Sequence, residues 1–110
     1  MIKIWVDDIR EMPKDYDIWV TSVYDAISRI TRCYKLDILV EISLDHDAGE
    51  YINDGGDYIR ILEHLEEKSY NSAYWKDYIK NKMTFHLHTA NPVGRDNMRR
   101  IIQKNGWRKV

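Results

Sequence analysis

A single cysteine, Cys33, leaves no disulfide possible within the chain. That scarcity, with no stretch that reads as a secretion signal, sets the expectation of a cytoplasmic protein. Cys33 lies in ITRCYKL and reads as a helix-end residue without chemistry of its own. There is no excess of charge either: 17 Lys and Arg meet 18 Asp and Glu, for a net charge of −1. A duplex-DNA binder needs a broad basic face, so that class is disfavoured. No apolar run approaches the roughly 20 residues of a membrane span. Repeats, low-complexity tracts, HExxH and paired CxxC spacings are all missing.

What remains is an ordinary globular mixture, 44% apolar and 32% charged over 110 residues. This length and composition predict one domain, residues 1–110. The one local imbalance runs from Arg95 to Lys109, with six basic residues and one acid. It reads as the solvated face of a helix, able to help hold a phosphate.

Apolar runs predict strands at 2–6 (IKIWV), 17–20 (DIWV), 38–44 (ILVEISL) and 83–90 (MTFHLHTA), with WRKV as a last edge strand. Runs this continuous suit strands covered on both faces. Between them, residues 21–35 read as a helix capped by Thr21 or Ser22, with Val23, Ala26, Ile27 and Ile30 at helical spacing. A second helix is expected at 58–70, a helical or irregular stretch at 71–82, and a third helix from about Asn91, stopped by Gly106. Pro13 argues against a long helix after the first strand. Alternation of strand and helix predicts a mostly parallel central sheet of 4–5 strands flanked by helices in a three-layer α/β sandwich.

In such sheets, sites form beyond the carboxyl ends of the strands. Asp7 and Asp8 leave the first strand, Asp45, His46 and Asp47 the third, and His88, Thr89 and Asn91 the fourth. Carboxylates gathered at one edge need a counter-charge. A hard divalent ion such as Mg²⁺ or Mn²⁺ supplies one, and the Arg10 guanidinium is an alternative. A mixed His/Asp set also admits Zn²⁺. His46 and His88 are candidates to move protons near neutral pH. His86 shares the face of His88 deeper in the sheet and reads as structural, and His64 reads as plain surface.

An acid pair after strand one and an aspartate after strand three resemble the response-regulator receiver domain, a flavodoxin-like fold. That resemblance makes Asp45 the phosphoryl acceptor, Asp7 and Asp8 the Mg²⁺ ligands and Thr89 the strand-four hydroxyl. The segment DIREMPKDYDIWV leaves the first receiver helix reduced or missing, and Lys109 is a poor match for the receiver lysine. The chain is more closely similar to the cyclic-phosphate processing receiver domain, through WVDDIR at 5–10, SLDHDAG at 43–49, GGDY at 55–58 and HTANPVG at 88–94. This second resemblance implies a site of Asp7, Asp8, Arg10, Asp45, His46, Asp47, His88, Asn91 and Gly94.

It also implies action on cyclic phosphates, either cyclic nucleotides or RNA with 2′,3′-cyclic ends, in nucleotide signalling, RNA repair or phage–host conflict. The expected reaction is metal-dependent hydrolysis of a cyclic phosphodiester. Asp7, Asp8 and Asp45 hold the ion, and His46 and His88 act as base and acid. Asp47 orients one imidazole, Arg10 and Asn91 bind phosphate oxygens, and Pro92 and Gly94 leave helix-terminal N–H groups free. The alternatives are a module that binds or sequesters a nucleotide, a phage-type inhibitor that binds a host protein or sequesters a signal nucleotide, and a receiver-like signalling module phosphorylated on Asp45. The stretch 71–82 is expected to shape a partner or substrate pocket.

Overall fold

The computed structural model describes all residues from Met1 to Val110. Five strands, β1 (Ile2–Val6), β2 (Ile18–Val20), β3 (Val40–Leu44), β4 (Met83–Leu87) and β5 (Arg108–Lys109), form one sheet in the order β2-β1-β3-β4-β5. Every neighbouring pair is parallel. Four helices connect them: α1 (Val23–Lys35), α2 (Ile59–Asn71), α3 (Ala73–Lys82) and α4 (Pro92–Lys104). This is the receiver-like order and the parallel sheet expected from the sequence. No helix is long and apolar enough to cross a membrane.

Local chemistry explains the boundaries. The Ser22 hydroxyl accepts from the Asp25 N–H and starts α1, and Asn91 does the same for α4 through the Gly94 N–H, with Pro92 at the first helical position. Gly106 ends α4 with a φ of 68°, a left-handed conformation that a side chain would strain. The stretch 71–82 is helical after all. Ser72 caps α3, and Trp75 stacks on Tyr34 of α1 at 3.8 Å between ring centroids.

Residues 7–17 hold no helix, so the first receiver helix is missing. This decides how the sheet is covered. Right-handed crossovers to β3, β4 and β5 run the same way along the sheet and place α1 to α4 on one face. There Ile4, Val6, Ile42, Leu44, Phe85 and Leu87 join the single apolar core. The opposite face carries Lys3, Trp5, Glu41, Ser43, Thr84 and His86, and its cover is the extended segment 8–17. With the first helix missing, as expected, the third layer is a strap. The cause is a β1–β2 connection too short and too irregular to hold a helix. Two indoles peg the strap down, Trp5 Nε1–H donating to the Arg10 carbonyl and Trp19 Nε1–H to the Asp7 carbonyl, each at 2.9 Å. Tyr16 packs edge-on against Trp5 and donates its hydroxyl to Glu41 at 3.0 Å.

Candidate functional site

The three central strands each extend one residue further as hydrogen-bonded ladder. Asp7 N–H donates to the Val20 carbonyl, Asp45 N–H to Val6 and His88 N–H to Leu44. Asp7, Asp45 and His88 thus stand side by side at the carboxyl edge, as the strand pattern implied. Ligand atoms of Asp7, Asp8 and Asp45 lie within 4.8 Å of one another, and so do those of a second group, His46, Asp47 and Asp57.

The acids in the first group differ in character. Asp7 is buried, and burial alone would push its carboxyl up. The N–H groups of Ile9 and Arg10, both on Oδ1, and the His88 ring on Oδ2 outweigh that and hold it below the usual aspartate value. Asp8 is pushed upward by burial and by the charges of Asp7 and Asp45. Asp45 receives the His46 N–H at 2.8 Å on Oδ1. No cation pairs with these acids. The Arg10 guanidinium instead donates to the His88 carbonyl at 2.9 Å and ties the strap to the end of β4. Beneath them Tyr58 is buried with its hydroxyl on the Thr21 carbonyl, and burial plus the three negative charges drive its phenol upward, so it stays neutral.

Three carboxylates without an intramolecular counter-charge, two of them partly open to solvent, are a donor set that fits Mg²⁺ or Mn²⁺. The raised Asp8 carboxyl has a stability consequence. A group whose folded-state pKa lies above its unfolded value favours folding when protonated and loses that contribution as pH rises through the folded pKa. Asp8→Asn should therefore raise the melting temperature of the metal-free protein at neutral pH and do little at a pH below the usual aspartate value. The same substitution should weaken Mn²⁺ binding. Thermal melts in EDTA at two pH values, beside a Mn²⁺ titration, check both, and an unchanged or lower neutral-pH melt contradicts the charge crowding.

The two expected histidines sit in different surroundings. His46 lies at the open edge, its Nδ1 2.9 Å from Asp47 Oδ1. Asp47 therefore orients His46 and not His88. The His88 side chain is only 7% exposed. Its Nε2 meets Asp7 Oδ2 at 2.9 Å, its Nδ1 meets Ser43 Oγ at 2.7 Å, and its ring stacks on Trp5 at 3.8 Å. Burial lowers its pKa more than the Asp7 charge raises it, so the ring is neutral at pH 7. The hydrogen-bond inventory then assigns Nε2–H as donor to Asp7 and Nδ1 as acceptor from the Ser43 hydroxyl. Ser43 in turn accepts from His86 Nδ1 at 2.8 Å, which gives His86 its structural role. Both nitrogens of His88 are engaged within the chain. The ring proposed from the sequence as a proton carrier thus lies on the strap side of the sheet, held by Trp5 and Asp7 at the end of β1 and by Ser43 of β3.

The α4 terminus also departs from expectation. The Gly94 N–H is occupied by Asn91 Oδ1 at 3.0 Å, and Pro92 has no N–H. The Asn91 Nδ2 group has no hydrogen-bond partner within the chain. Gly94 is glycine for space: a Cβ there would stand 2.5 Å from the His46 ring. Gly49, with φ of 57°, makes the same allowance for Asp8, whose Oδ2 would lie 2.2 Å from an added Cβ. Three residues went unassigned in the sequence reading. Ser43 and Trp5 stand inside the quoted motifs as apparent strand filler. Asp57 belongs to GGDY, and its Oδ1 accepts the Ala48 N–H at 3.0 Å, while the next N–H, of Tyr58, holds the His46 carbonyl at 2.9 Å.

Fold and site together define a receiver-like α/β domain with an acid- and imidazole-bearing edge and no first helix. The chain belongs to the cyclic-phosphate processing receiver domain family, whose family model matches residues 2–104. No curated protein and no solved structure matches it.

Proposed function

We propose that the domain hydrolyses a cyclic phosphodiester at the acid edge with a divalent ion, Mg²⁺ or Mn²⁺. The observation that carries this reading is the convergence of Asp7, Asp8 and Asp45 ligand atoms within 4.8 Å, with His46, next in the chain to Asp45, in a second such group with Asp47 and Asp57. Asp8 and Asp45 offer open carboxylate oxygens, and Asp7 is held in place by its hydrogen bonds to His88 and the strap. When bound, the ion supplies positive charge for a non-bridging phosphate oxygen and for an attacking water. His46, oriented by Asp47, takes a proton from that water as the new P–O bond forms. The ring P–O bond breaks, and solvent at this open edge protonates the departing oxygen. Arg10 and the Asn91 Nδ2 group are placed to hold phosphate oxygens. His88 serves by positioning Asp7. Family membership supports the substrate class, a cyclic nucleotide or an RNA end with a cyclic phosphate.

The test is turnover of 2′,3′- and 3′,5′-cyclic nucleotides and of an RNA with a 2′,3′-cyclic end, in Mg²⁺, Mn²⁺ or EDTA, beside Asp45→Asn. Ring opening that needs the metal and is lost in the variant supports the hydrolase. Binding without turnover in every metal refutes it and leaves a nucleotide-binding module.

A further inference from the structure

At the opposite end of the molecule from the acid edge, α2, α3 and α4 enclose a concavity of about 220 Å³. Lys76, Lys80 and Lys104 line it with Tyr70, Asn105 and Trp107. Trp107 forms a rigid floor, since it is buried and stacks on Phe85 with centroids 5.3 Å apart. No carboxylate lines the pocket. The one acid beside it, Glu66, is divided between Lys104 at 3.4 Å and the Asn105 amide at 2.7 Å. The acid on α3, Asp77, faces a different groove beside Tyr34 and Asp37.

Ordinary helix electrostatics accounts for only part of this arrangement. Lys80 and Lys104 lie in the last turns of α3 and α4, where the helix dipole favours cations. Lys76 follows shortly after the Ser72 cap, near the N-terminus of α3, where the dipole disfavours a cation. It is also four residues from Lys80, a like-charge spacing that weakens a helix. Three lysines line one pocket despite these local costs, with a single neighbouring carboxylate, on Lys104, to offset them. An anion carrying more than one charge balances them.

We propose that this pocket binds a phosphate-bearing anion, at a site separate from the acid edge and independent of its chemistry. Ammonium groups serve phosphate as movable point charges. Tyr70, Asn105 and the Trp107 floor bound the space beside them. The extra helix in the β3–β4 connection is what builds the site.

The experiment is an NMR titration of the full chain in EDTA at constant ionic strength, with inorganic phosphate and then pyrophosphate. The Trp107 indole N–H and the Asn105 side-chain amide should shift saturably, and pyrophosphate should bind more tightly than phosphate. Lys76→Gln, Lys80→Gln and Lys104→Gln should each weaken pyrophosphate roughly tenfold, the size of one charge-assisted hydrogen bond. Lys14→Gln, far from the pocket, should bind as the wild type does. Displacement of pyrophosphate by an oligoribonucleotide without a terminal phosphate assigns the anion to a nucleic-acid backbone. Displacement by free phosphates alone assigns it to a small molecule. Shifts that do not saturate, or affinity unchanged in Lys76→Gln and Lys80→Gln, overturn the proposal. Because no metal is present, this outcome is independent of whether the acid edge hydrolyses anything.

Discussion

His46→Ala should lower the proposed rate of cyclic-phosphate ring opening by about 10²–10⁴-fold, the usual size of a proton-transfer contribution. That corresponds to roughly 3–5 kcal/mol of transition-state stabilisation. The size follows from the geometry. With both nitrogens of His88 engaged, His46 is the imidazole at the carboxyl edge whose Nε2 has no partner within the chain, its side chain being partly buried against Gly94. Its loss should leave Mn²⁺ affinity at the Asp7–Asp8–Asp45 group nearly intact, because none of those oxygens depends on the ring. Rate and ion binding are therefore measured on the same preparation. A rate within about threefold of wild type would remove His46 from the reaction, since even a weak general base contributes more.

His88→Ala acts on a different quantity. The variant leaves the Asp7 carboxylate buried without its ring partner and the Ser43 hydroxyl without an acceptor, and it opens a gap against Trp5. Leaving a buried hydrogen-bonding group without its partner in this way costs about 1–3 kcal/mol. Urea unfolding should show that loss as a fall in midpoint at constant slope. The pH profile adds a check on the mechanism. The His88 pKa is lowered on folding, so its contribution is present above the usual histidine value and is lost as pH falls through that value. Asp7 is depressed, so its own contribution is lost only further into acid. Wild type should lose stability below about pH 6.5, the unperturbed histidine value, and His88→Ala should show a smaller first step, keeping only the part from His64, which burial also lowers. A variant as stable as wild type would mean that the ring is not the partner of Asp7.

The carboxyl-edge cluster was legible in the sequence because it rests on one rule. Parallel strands end at a common edge, so Asp7, Asp45 and His88 had to be neighbours once their strands were recognised. Helix caps at Ser22 and Asn91 were legible for a similar reason, since a short polar side chain at a helix start has one common use. The fate of His88 was not. Whether its ring faces solvent depends on what lies over the second face of the sheet, and strand periodicity cannot say whether that cover is a helix or a strap. The role of Gly94 was hidden too, because an N-terminal glycine in a helix suits close approach to an anion as well as close approach to a ring. Asp57 reaches the edge through a loop whose path is set by Gly55 and Gly56 at positive φ, which no periodic pattern encodes.

The meeting of Asp7 with His88 spans 81 positions of chain. Neither β1, β3 nor β4 reaches its neighbour through a hairpin, so no early local contact rehearses the site. Closing loops of this length is entropically costly and comes late in folding. A divalent ion added to the unfolded chain therefore has no partial site to seed. The ion proposed for the acid edge should act on the finished sheet, slowing its unfolding and leaving the speed of folding almost untouched.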